Sequence, residues 1–170
     1  NRFAELGVIA NYTPWWHSGC CVSGGYRKAM EFLGKERADK MYRSKTLWDS
    51  GALVTWSSDN IAYGDFSMWS PYLGMEVGIR RIITEKTNLP YYYRNDTEYP
   101  SACEKMNMEE MILGYTINGA KQLRIDDRKG SIEVGKDADF IVLSENLQVR
   151  DAEGISFMHP AAVFYKGEKN

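Results

Sequence analysis

The stretch Ala52–Asn60, ALVTWSSDN, places a carboxylate where chemistry is possible. Five residues of strand character, Ala52–Trp56, stop at Ser57-Ser58, and Asp59 follows at once. A carboxylate fixed by a strand behind it, beside small hydroxyl residues, has room for a ligand. Such a group can ligate a divalent metal or take a proton from metal-bound water. The plainer alternative is a turn in which Asp59 bonds nearby backbone N–H groups. His17 is a second candidate. It follows Trp15-Trp16, a pair that could wall an apolar acyl or aryl pocket or could pack in a core. His159 precedes Pro160 with no partner residue spaced to share a metal, and it reads as structural. One Asp and one loop His fall short of the three or four protein ligands that zinc takes.

The elements that must position these groups alternate. "NRFAELG" reads as a helix end closed by Gly7, and Val8–Tyr12 as a strand stopped before Pro14. A Gly- and Ser-rich loop follows. Helical spacing over Glu36–Ser50 predicts a helix that Gly51 ends. Ala52–Trp56 is the second strand, and Tyr72–Lys86 reads as a helix weakened by two glycines. Thr87–Lys105 is a long tyrosine-rich excursion. Asn107 can then cap a helix reaching Leu123, with Glu110 completing a capping box. Phe140–Leu143 is an apolar β-type run, and "AAVFYKGEKN" reads as a strand entering a turn with no returning strand after it. Asp126-Asp127-Arg128 reads as a solvated turn.

Composition narrows the function classes. Hydrophobic residues make up 44% of the 170, enough for a packed core. A formal charge of -2 with interspersed Lys and Arg argues against nucleic acid. No segment approaches the ~18 apolar residues of a membrane span. Cys20, Cys21 and Cys103 form no disulfide framework, which favours a reducing, cytoplasmic setting. No signal or transit peptide is evident, and the first residue is Asn1, so a piece of a longer protein is one expectation.

"ALVTWSSDN" together with "RKGSIEVGKDADFIVL" resembles the C-terminal portion of the metal-dependent amidohydrolase superfamily. "RFAELGVIANYTPWWH" and "SPYLGMEVGIRR" further resemble its amidohydrolase-3 branch, which includes N-substituted formamide deformylase-like enzymes. The resemblance implies an α/β fold, the C-terminal part of a (β/α)8 barrel plus part of its flanking β-sandwich. Residues 1–123 would hold the last two βα units with a long loop near 87–106, and 124–170 would hold part of the sandwich, its final strand missing. Asp59 would match the carboxylate ending the last barrel strand, as metal ligand and proton shuttle. His17, Trp15 and Trp16 would face substrate at the catalytic mouth, while Asp137 and Asp139 would belong to the sandwich motif.

The implied cofactor is a divalent metal, zinc by expectation, acting on a small amide-type substrate. The family's H-x-H pair, its bridging Lys or acid and its two later histidines do not occur in this sequence, so the 170 residues alone should be inactive. A non-catalytic binding or regulatory module derived from such an enzyme is the alternative, and a cyclic-amide or phosphoester hydrolase a third reading. Unpaired strand edges near Val8–Tyr12 and Ala52–Trp56 predict a homo-oligomer.

Overall fold

The structure, a computed structural model, describes residues 2–18, 25–59, 66–88, 104–149 and 151–170. The three cysteines and the tyrosine-rich part of the 87–105 excursion lie outside these residues.

Helix α1 (Arg2–Glu5) closes at Gly7, whose φ of 64° is the left-handed conformation a helix stop requires. Strands β1 (Ala10–Tyr12) and β2 (Val54–Trp56) pair in parallel, Ala10 opposite Val54 and Tyr12 opposite Trp56. Helices α2 (Gly25–Leu33), α3 (Lys35–Ala38) and α4 (Ser44–Asp49) connect them. After β2 come α5 (Pro71–Arg80), α6 (Met108–Tyr115) and α7 (Ile117–Leu123). The chain ends in an antiparallel sheet of β3 (Phe140–Leu143), β4 (Pro160–Tyr165) and β5 (Glu168–Lys169). The content is α/β, as expected, with a parallel pair first and an antiparallel sheet last. No helix among the described residues is long and apolar enough to cross a membrane.

Alternation along a strand sends successive side chains to opposite faces. Ala10, Val54 and Trp56 join one core with Tyr72, Met75, Met111 and Ile155, and Tyr12 packs against it. The helices therefore cover one face of the parallel pair. Trp56 sits so close to α6 that a Cβ on Gly114 would lie 2.1 Å from its Nε1, so only glycine permits this approach. The β2 edge away from β1 is met by α7, where Asn118 Nδ2 donates to the Val54 carbonyl at 3.0 Å.

Glu76 joins distant parts of the chain. Fully buried on α5, it accepts from Thr87 Oγ1 (2.8 Å), from Ser156 N (2.9 Å) and from Arg80 Nη1 (3.2 Å). A buried carboxylate needs such donors to offset its desolvation, and here they tie residues 151–158 onto α5.

Four expectations change. The single helix over 36–50 is two, because Tyr42 turns left-handed (φ 54°) and its carbonyl accepts from buried Arg81. The helix over 107–123 is also two, broken at Thr116, although the Asn107–Glu110 capping box forms as its spacing predicts. Helix α5 ends at Arg80, with Arg81 left-handed (φ 58°), rather than at Lys86. A returning strand does exist: Glu168 and Lys169 pair back onto Tyr165 and Phe164 across the Lys166-Gly167 turn.

Candidate functional site

Beyond β2 the two segments stay in register through hydrogen bonds. Ser57 N donates to the Tyr12 carbonyl at 2.8 Å, continuing the ladder by one residue. Ser57 Oγ donates to Asn11 Oδ1 at 2.7 Å. Trp15 Nε1 donates to the Ser58 carbonyl at 2.8 Å, and Trp16 Nε1 to Asp59 Oδ2 at 3.1 Å. Asp59 is exposed and adopts φ 45°, a left-handed conformation that Asp tolerates better than most residues. Its Oδ1 accepts no hydrogen bond from the described residues.

The face of the parallel pair opposite that core is polar, and α7 reaches it through Gln122. Asn11 Nδ2 donates to Thr55 Oγ1 (2.9 Å), Thr55 Oγ1 donates to Gln122 Oε1 on α7 (2.7 Å), and the Thr13 and Ser57 hydroxyls approach to 3.4 Å. That row ends at Ser57, and Asp59 follows two residues later, past the strand and in a left-handed conformation. Sequence reasoning missed Asn11, Thr13 and Gln122. The period-two contrast of Ala10 and Tyr12 with Asn11 and Thr13 carried the signal for the first two; nothing in the sequence marked Gln122.

Trp15, Trp16 and His17 share the 3-10 turn Pro14–Ser18. Trp15 is buried among Met68, Leu73, Val77 and Ile83, and Trp16 stacks on it, half-buried, with ring centroids 4.0 Å apart. These two meet the Asp59 segment, whereas His17 turns the other way. His17 is fully buried between Tyr42 (5.2 Å), Tyr12 (5.5 Å) and Trp56 (6.4 Å), and neither ring nitrogen has a partner among the described residues. Burial, and then the Arg81 guanidinium, holds its pKa well below the ordinary histidine value, so it stays neutral.

The remaining candidates are elsewhere. His159 is exposed just before β4. Asp137 and Asp139 both pair with Lys129; the Lys129 hydrogen bond first, and then the Lys166 N–H donated to Oδ1 at 2.8 Å, pull the Asp139 pKa down and make it part of the turn chemistry of the C-terminal sheet.

The sequence profile described as the amidohydrolase family matches residues 1–168. This chain belongs to the amidohydrolase family. The chain is 31% identical over 115 residues to an imidazolonepropionase of Kosmotoga olearia, covering 68% of this chain and 22% of that protein. It is 32% identical over 113 residues to a probable allantoinase 2 of Dictyostelium discoideum, covering 65% and 19%. A shorter match, 59% over 32 residues, links it to an N-acetylglucosamine-6-phosphate deacetylase of Bacillus subtilis, covering 19% and 8%. The first and second of these alignments span about a fifth of the relative's length.

Amidohydrolases are generally metal-dependent. Asp59 suits one coordination position, being exposed, with one oxygen held and the other open among the described residues. A complete centre does not fit: among the described residues no three His, Cys, Asp or Glu side chains converge. His17 is enclosed by Tyr12, Tyr42 and Trp56 and makes no hydrogen bond to Asp59.

Proposed function

We propose that this chain supplies one side of the active site of a hydrolase that opens small, non-peptide amide-type C–N bonds with metal-activated water. The observation that carries this reading is the placement of Asp59, an exposed carboxylate three residues past β2, in a segment tied to β1 through Ser57 and to the loop after β1 through the Trp15 and Trp16 indoles. In a (β/α)8 barrel the strand face opposite the helices looks inward, and reacting residues sit at the C-terminal strand ends. Under this reading the Asn11–Thr55–Ser57 row lines the interior, and residues 1–123 are the last two βα units.

The metal, zinc by expectation, would be held by Asp59 with further ligands from polypeptide beyond these residues, and it would supply an activated water. Asp59 would serve as the proton carrier, taking a proton from the attacking water and passing it to the leaving nitrogen. Trp16 bounds the mouth beside it. Names among the relatives, imidazolonepropionase and allantoinase, favour a cyclic amide over a formamide. A reducing cytoplasmic setting and assembly into homo-oligomers complete the reading.

The test is turnover of a panel of cyclic and linear amides by the protein at its natural length. Asp59→Asn should lower kcat by about 10²–10⁴-fold, the range for a lost general acid–base group, with circular dichroism unchanged. Turnover equal to that of the unaltered protein would remove Asp59 from the mechanism.

A further inference from the structure

The stacked indoles follow the strand register past the point where the strands end. Ladder pairing closes with Ser57 N on the Tyr12 carbonyl. From there Trp15 takes the Ser58 carbonyl and Trp16 takes the Asp59 carboxylate, so residues 57 to 59 are each held by β1 or its loop, Ser57 as the donor and the next two as acceptors. The anchor of this arrangement lies in the core. Trp15 is 5% exposed, packed among Leu73 and Val77 of α5 with Met68 and Ile83, and Trp16 lies over it with ring planes 26° apart. The Trp16 N–H is therefore fixed in direction by α5, through one intervening ring.

An indole N–H is a donor only, so it can recognise a carboxylate oxygen without taking the proton that oxygen carries. An exposed aspartate at a strand end otherwise exchanges between staggered rotamers. A single directed donor to Oδ2 selects among them and leaves Oδ1 uncommitted. We infer that Trp16 is a positioning residue for Asp59, its Nε1–H orienting the carboxylate while α5 orients Trp16 through Trp15. This inference rests on the proposed role of Asp59, and it gives Trp16 a duty distinct from walling a substrate pocket.

The experiment uses the protein at its natural length with Trp16→Phe, Asp59→Asn and the double variant. Trp16→Phe keeps a ring over Trp15 and removes the N–H alone. A lost hydrogen bond to a charged group should lower kcat roughly tenfold or more while KM stays within about twofold. The same change made in Asp59→Asn should cost nothing further. In the ¹⁵N-labelled protein the Trp16 indole N–H resonance, assigned by its disappearance in Trp16→Phe, should shift in Asp59→Asn without a change in melting temperature. That last measurement stands even where Trp16→Phe fails to fold. Unchanged kcat in Trp16→Phe, an equal loss in both backgrounds, or an indole resonance indifferent to Asp59→Asn overturns the positioning role, and a collapse of Asp59→Asn beside any of these leaves the Asp59 reading intact. Full turnover by Asp59→Asn overturns both.

Discussion

The parallel pair β1–β2 and the antiparallel sheet β3–β5 are built from similarly apolar strands, yet they are stabilised in different ways. Val54 and Met111 are completely buried where helices close over the parallel pair. In the C-terminal sheet Ile141, Val142, Val163 and Tyr165 remain between 37% and 54% exposed. That sheet holds together by pairs instead: Phe140 stacks on Phe164 at 4.5 Å, Lys129 bridges Asp137 and Asp139, and Lys129 and Lys166 lie over the Tyr165 ring. Burial makes the first region depend on shape, and the second depends on local partners that tolerate replacement.

The largest effect should therefore come from the first region. Met111 fills the space between α6, α5 and Trp56, and Met111→Ala leaves a cavity that close-packed helices cannot collapse into. The expected loss is about 2–5 kcal/mol, read from the denaturant midpoint at unchanged m-value. A loss below about 1 kcal/mol would put this core on the same loose footing as the C-terminal sheet.

The same contrast explains what was legible. Short apolar runs bounded by Pro14 and by Ser57-Ser58 exposed both strands of the parallel pair, and the Asn107–Glu110 spacing exposed the cap of α6, because each is decided within a few residues. Helix breaks at Tyr42 and Thr116 were not legible, since Tyr42 is turned by the distant Arg81 and by His17 against its ring. Helix α2 was overlooked although Tyr26, Ala29, Met30 and Leu33 follow helical spacing; the Gly- and Ser-rich stretch that ends at Gly25, its first residue, read as loop. Two-residue β5 offers too short a pattern for any period to register. At the site, Asp59 was readable as a strand-end carboxylate, whereas the Trp16 hydrogen bond joins residues 43 apart and leaves no local trace.

His17 gives a smaller, pH-dependent effect. Its folded-state pKa is held well below 6.5 by burial and by Arg81, so below that pH the unfolded chain binds a proton that the folded chain refuses. Stability is thus full above about pH 6.5 and falls as pH drops below it, by at most about 1.4 kcal/mol per pH unit, until the folded pKa is reached. His17→Phe keeps an aromatic ring against Tyr12, Tyr42 and Trp56 and should flatten the curve between about pH 6.5 and 5. Thermal melts of both proteins across that window decide it. An equally steep slope in His17→Phe would assign the titration to other groups.

The smallest effect belongs to the C-terminal sheet. Val163 faces Ile141 across β3–β4 and is 37% exposed. With so little covering it, Val163→Ala in the 170-residue chain should change stability by about 0.5 kcal/mol or less. Repeating the substitution in the protein at its natural length turns a null result into information. A loss of about 1.5 kcal/mol or more there, against almost none here, would mean that another layer buries this face and that the sheet is one half of a sandwich. Equal, small losses in both would mean that the face stays open to solvent and that local pairing is the whole of its stability.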